Sequence, residues 1–213
     1  MSTLSAGIVN IALPTMATQF HVTLESIQLV VSMYLLVLTC LLPVFGKLSD
    51  MYSRKWMYLG GFITFGVGAV LGAVAGSLPT MLLARAVQGV GSSAMMATSQ
   101  ALIAQIFHGK ARGKAFEAIG AVVACGSLAG PALGGALIQA WGWPSVFWIS
   151  VPVCILGVWR GIYLIPRFRA VKKLKMDWYS ALCYVVTSFA FLYALNMGST
   201  LGWTSGRILS AFA

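Results

Sequence analysis

Apolar residues in this chain come in runs of about twenty, cut by short polar or Gly/Pro-rich breaks, and strict two-residue alternation is not the rule. A helix of about 20 mainly apolar residues crosses the hydrocarbon of a bilayer. The pattern therefore predicts seven transmembrane helices, over residues 2–20, 27–46, 57–75, 79–106, 115–140, 145–165 and 178–197. Short connections make successive helices antiparallel. The opening run lacks a basic n-region and contains Asn10 and Pro14, so it reads as a first membrane helix and not as a cleaved leader.

Charge sharpens this picture. Twelve of the fourteen Lys and Arg fall after the second span (Lys47, Arg54, Lys55), after the fourth (Lys110, Arg112, Lys114), or from the end of the sixth to Lys175. The connections after the first, third and fifth spans carry none. Basic residues stay on the cytoplasmic side, which puts the N-terminus of a multi-pass cell-membrane protein in the cytoplasm. Only 8% of the 213 residues are charged against 59% hydrophobic, too little polar surface for a water-soluble globule. The net charge of +10 is explained by the loops, and no nucleic-acid partner is expected. Arg167–Lys175 reads as a topology-fixing linker, with attraction to anionic lipid as a secondary effect. The four cysteines lie in apolar runs without metal-ligand spacing and read as small buried hydrophobes, and no metal site is expected.

Polar groups inside the spans are the candidates for function. Arg85 lies several residues into the fourth span, where an arginine costs roughly 2.5–3.5 kcal/mol on insertion scales, so it must face protein or water. Arg85, Gln88, Ser92 and Ser99 share one helical stripe, and Gln28, Ser32 and Thr39 form another on the second span. Two such stripes imply a polar interior, as in a pore or transporter, although for the Ser and Thr positions hydrogen bonding that only holds the bundle together is the better reading. Gly126, Gly130 and Gly134 recur every fourth residue beside Pro131 and Gly135, a smooth face on a helix that the proline bends. In Gly46–Lys55, Asp50 stands four residues before Arg54, and a carboxylate among Lys47, Arg54 and Lys55 would serve as a charge-dependent latch.

Three of these segments together resemble the major facilitator superfamily. Gly46-Lys47-Leu48-Ser49-Asp50-Met51-Tyr52-Ser53-Arg54-Lys55 is similar to its loop motif between the second and third helices, and Arg85-Ala86-Val87-Gln88-Gly89 to its fourth-helix motif. Gly126–Gly135 is similar to the antiporter motif of the fifth helix. Ile8–Pro14, with Asn10, and the stretch from Asp177 to Trp203 resemble the fourteen-helix drug:proton antiporters of the EmrB/QacA type. The resemblance implies an all-α membrane protein: a six-helix bundle over 1–165, a basic linker over 166–177, and a linker helix with its following loop over 178–213. It implies proton-driven efflux of amphipathic small molecules by alternating access, with no bound cofactor. Arg85, Gln88, Ser92, Gln28, Ser32 and Asn10 would line the proton and substrate pathway. Gly46, Asp50, Arg54 and Lys55 would gate it, and the Gly126–Gly135 helix would pack against the opposite bundle.

Two departures bear on that expectation. Ser5 stands where the branch commonly has an aspartate, and Glu25, Asp50, Glu117 and Asp177 all lie at span ends or in a linker. Coupling would then use Asp50, use carboxylates outside this chain, or be lost. Seven spans also make one bundle and one linker helix, so the chain reads as an N-terminal fragment of a larger transporter that needs its second bundle or a second chain. The alternatives are an exporter of a metabolite, peptide or siderophore, and a half-protein that assembles in or regulates a membrane complex without transporting. No GxSxG, HExxH or paired intramembrane carboxylate points to an enzyme.

Overall fold

A computed structural model describes residues 2–166 and 177–201. Every described element is a helix: α1 (Ser2–Phe20), α2 (Leu24–Met51), α3 (Arg54–Ala73), α4 (Leu78–Ile106), α5 (Lys110–Trp141), α6 (Ser145–Trp148), α7 (Ser150–Leu164) and α8 (Trp178–Leu201). The basic run from Arg167 to Lys175, the side chain of Ser5 and Arg207 lie outside the described residues. By length and composition, four described segments suffice to cross a membrane: α2, α3, α5, and α6 taken together with α7.

Helix ends follow local chemistry more than the apolar runs do. Thr23 caps α2 by accepting a hydrogen bond from the Ser26 amide, and the Ser77 amide donates to Thr80 Oγ1 at the start of α4, with Pro79 in its first turn. Asp177 accepts from the Tyr179 and Ser180 amides and from the Ser180 hydroxyl at the start of α8; the hydroxyl bond chiefly holds its carboxyl below the usual carboxylate range. α2 runs on to Met51 and α5 begins at Lys110, beyond the limits predicted from hydrophobicity. The predicted sixth span is divided at Ile149. Pro152 has no amide to donate to the Trp148 carbonyl, so the helical ladder loses a rung there.

α4 is the hub, packed along both α2 and α3; α5 packs mainly on α1, α7 on α3, and α8 lies along α2. α3 and α4 meet through glycines: a Cβ on Gly68 would stand 2.7 Å from the Gln88 backbone nitrogen. The two ends of the bundle differ. At one end Phe20, Trp143 and Phe147 stack edge to face, and Trp143 Nε1 donates to Gln19 Oε1 at 2.5 Å. At the other, Arg54 reaches the end of α4 and Lys55 reaches the end of α7, so the basic connections share one end.

The outer surface is apolar, with Val122 72% and Leu128 82% exposed. Such a surface suits hydrocarbon and not water. The expectation for the cysteines holds for Cys40 and Cys154, which are buried, and fails for Cys125 and Cys183, which are exposed. In a protein solvated by lipid, an apolar side chain gains nothing by turning inward.

Candidate functional site

Arg85 has no exposed surface. Two turns of α2 and one of α4 solvate it. Its Nε donates to the Val30 carbonyl at 3.2 Å and its Nη1 to Gln88 Oε1 at 2.6 Å, while its Cζ lies 4.2 Å from the centroid of the Tyr34 ring. Tyr34 in turn shares a 2.8 Å hydrogen bond with Ser92. Helical spacing explains the set: Arg85, Gln88 and Ser92 stack on one face of α4, and Val30 and Tyr34 stack on the facing side of α2. Gln88 is also fully buried, and among the described residues its Nε2 makes no hydrogen bond. A buried amide hydrogen with no acceptor is costly, and such costs gather where a site has work to do.

The proposed pathway residues do not gather in one place. Arg85, Gln88 and Ser92 are buried inside the bundle; Gln28 on α2 and Asn10 on α1 are exposed, and Ser32 is half-buried. Thr39 is likewise exposed and donates to the carbonyl of Leu35 in its own helix. The stripe expected on α2 therefore turns away from α4. The face that meets α4 is set by Ile27, Val30, Tyr34 and Cys40. Tyr34 is the member that sequence reasoning passed over, although a phenol well inside a span, away from the interfacial belts, was a usable signal.

The Gly46–Lys55 segment is a clamp. Gly46 to Met51 complete α2, where the Ser49 hydroxyl donates to the Gly46 carbonyl, and the chain turns at Tyr52 and Ser53. Asp50 and Arg54 meet across that turn at 2.5 Å, so the pair joins two helices where a single helical turn was expected. Arg54 Nη1 also donates to Gln105 Oε1 at 2.7 Å and to the Ala101 carbonyl at 3.1 Å, both in α4. Lys55 is buried and donates to the Ile162 carbonyl of α7. Four helix ends are thus tied through two adjacent cations.

The clamp's energy is unevenly shared. The Asp50 side chain is 46% exposed, so its ion pair is screened and is worth at most about 1 kcal/mol. Hydrogen bonds from a charged donor to sheltered acceptors are worth ~1.5–3 kcal/mol each, before discounting for partial exposure. Arg54→Ala is expected to lower unfolding stability by about 2 kcal/mol and Asp50→Asn by less than about 1 kcal/mol, as read from denaturant titration in detergent micelles. The opposite ranking would show that the ion pair, and not the grip on α4, holds this end together.

On α5 the glycine stripe is turned toward its own bundle. Gly130 and Gly134 are buried, Gly126 and Gly135 half-buried, and Pro131 exposed. A Cβ on Gly134 would come 2.8 Å from Ile8 Cγ2, so α1 occupies the stripe's deepest part. The face of α5 left exposed bears Pro131 and Leu128.

The chain is 40% identical over 167 residues to the riboflavin transporter RibZ of Clostridioides difficile, covering 78% of this chain and 37% of that protein. It is 32% identical to the multidrug resistance protein Stp of Mycobacterium tuberculosis, over 95% of this chain and 38% of the relative. It is 31% identical to the methylenomycin A resistance protein of Streptomyces coelicolor, over 100% of this chain and 45% of the relative. The chain thus spans less than half the length of these curated relatives. A crystal structure of the peptide transporter POT shares the fold, with a TM-score of 0.72 at 13% identity, over 98% of this chain and 46% of that one. The family model described as Major Facilitator Superfamily matches residues 1–213, and the chain belongs to that superfamily.

Proposed function

We propose that this chain forms one bundle of a secondary active exporter of amphipathic small molecules, working by alternating access in the cell membrane. In this reading residues 1–165 are the bundle, 166–177 a cytoplasmic basic linker and 178–213 a linker helix with its loop. The N-terminus is cytoplasmic and the proton gradient supplies the energy. The observation that carries the reading is the fully buried guanidinium of Arg85, solvated by a carbonyl, an amide oxygen and an aromatic face. A membrane protein bears the cost of an intramembrane charge where the charge is used. The multidrug resistance relatives support the cargo class.

Alternating access needs a second bundle opposite this one, supplied by further residues or by a second chain. Asn10, Gln28 and the Pro131 face of α5 are the exposed candidates for that contact. Proton coupling is harder to place, because an arginine does not titrate at ordinary pH. Asp50 is the carboxylate within the motif residues, and otherwise the acid comes from the partner bundle. A metabolite cargo is the second reading, favoured by the 40% identity to a riboflavin transporter.

Proteoliposomes holding the chain, alone and joined to a second bundle, test both readings with a pH-sensitive dye inside. Drug cations that drive proton movement only with both bundles present support drug antiport; movement driven by a flavin alone moves the assignment to the metabolite. No substrate-driven flux in the joined protein would sink the exporter reading.

A further inference from the structure

One cavity shares no lining residue with the Arg85 cluster. It is an open groove of about 610 Å³ on the outside of the bundle, between α3 and α7. Its walls are apolar: Phe62, Val67 and Val70 on α3 face Cys154, Val158 and Trp159 on α7. Gly157 lets the two helices close, since a Cβ there would come 2.5 Å from Phe62 Cε1, while a Cβ on Gly66 at the groove's base would rest in ordinary contact 3.4 Å from Cys154 Cβ. The lining runs from Phe62 to Leu71 on α3 and from Ile162 to Val151 on α7. At a rise of 1.5 Å per residue that is roughly 14–16 Å. One leaflet contributes about half of the ~30 Å hydrocarbon core, so the groove is one acyl chain deep.

One end of it lies beside positive charge. At the end nearest the basic connections, the Ile162 carbonyl that borders the groove accepts from Lys55. The exposed Arg160 guanidinium stands 5.9 Å from the ring centroid of Trp159, which lines the groove. An apolar slot of leaflet length with a cation at one mouth matches an anionic lipid: chain in the slot, phosphate at the cation. A transmembrane helix about 10 Å across would displace roughly twice the groove's volume over the same length, so it would seat only partway.

We propose that the α3–α7 groove binds one acyl chain of an anionic glycerophospholipid, whose phosphate is held by Arg160. Trp159 is the built-in reporter. The chain is placed in phosphatidylcholine vesicles containing a small fraction of either dibrominated phosphatidylglycerol or dibrominated phosphatidylcholine. Fluorescence quenching is recorded, and the Trp159→Phe signal is subtracted to isolate that ring. Quenching of Trp159 is expected to be about fivefold stronger with the anionic lipid, the attraction of one basic residue for a headgroup. Arg160→Gln, an exposed change, is expected to bring it down to the phosphatidylcholine level. Gly66→Leu, which fills the slot, is expected to weaken quenching by both lipids. Equal quenching by the two lipids, or a preference that survives Arg160→Gln, would overturn the proposal. A Trp159 shielded from both lipids in a chain that light scattering finds dimeric would also overturn it, by showing a second copy in the groove.

Discussion

Arg85→Met is expected to cut transport more than tenfold while the chain inserts normally and unfolds at an unchanged or higher denaturant concentration. A thioether of similar length fills much of the guanidinium's volume. Replacing a buried charged group with a well-packed apolar one is often neutral, or stabilising by roughly 1–4 kcal/mol. Against that, Gln88 Oε1 loses the donor 2.6 Å away, at a cost of about 1–3 kcal/mol. The two effects nearly offset, so stability barely moves. Transport moves greatly if the positive charge is what the pathway uses. Arg85→Lys separates charge from geometry. An ammonium keeps the charge but cannot reach the Val30 carbonyl and Gln88 with separate, coplanar donors while its plane covers the Tyr34 ring. It is expected to fold and to restore only a small part of transport. Full transport by the Met variant in proteoliposomes would reduce the arginine to packing.

That residue also marks how far the sequence could be read. All seven predicted spans correspond to helical segments, four of them long and apolar enough to cross a membrane, because a bilayer demands about twenty apolar residues per crossing. The helix ends were less visible. Backbone helicity runs on past the apolar stretches, through Leu48 to Met51 and Lys110 to Lys114, because the helical hydrogen-bond ladder does not depend on the side chains' being apolar. The stripe of Arg85, Gln88 and Ser92 was legible from spacing alone, since residues three or four apart on one helix are neighbours whatever surrounds them. Which face of α2 meets it was not. In water, polar residues mark the outside of a helix; in a bilayer that rule fails, and the face of α2 that meets α4 is marked by Tyr34 and not by Gln28 or Thr39, which are exposed. Gln105 was missed for a related reason, as its role depends on the end of α4 reaching back to Arg54 across 51 positions of sequence. The motif resemblance located the clamp, and only the fold shows that it grips α4 and α7.

Gly91→Ala is expected to destabilise the bundle by about 3 kcal/mol, the upper part of the usual range for overpacking, although it adds a single methyl group. The new Cβ would overlap the backbone nitrogen of Phe65 and stand 2.7 Å from the Gly61 carbonyl oxygen. Both are main-chain atoms of α3 and cannot rotate aside, so the helices must part. Gly61 meets the same seam from the other side, where its own Cβ would lie 2.9 Å from the Gly91 carbonyl oxygen. Gly60 is the control: it is a neighbour in sequence with open space around it, and Gly60→Ala is expected to be neutral or to gain up to about 1 kcal/mol from helix propensity. The pair is read from unfolding in a denaturing-detergent titration. Shifts of the same sign and size would show that the α3–α4 seam is not close-packed. The consequence reaches the site, because Gln88 lies on the α4 face that Gly68 abuts, one turn from Gly91. Parting the seam frees the amide that holds Arg85, so Gly91→Ala is expected to impair transport even in the fraction that stays folded, while Gly60→Ala leaves transport intact.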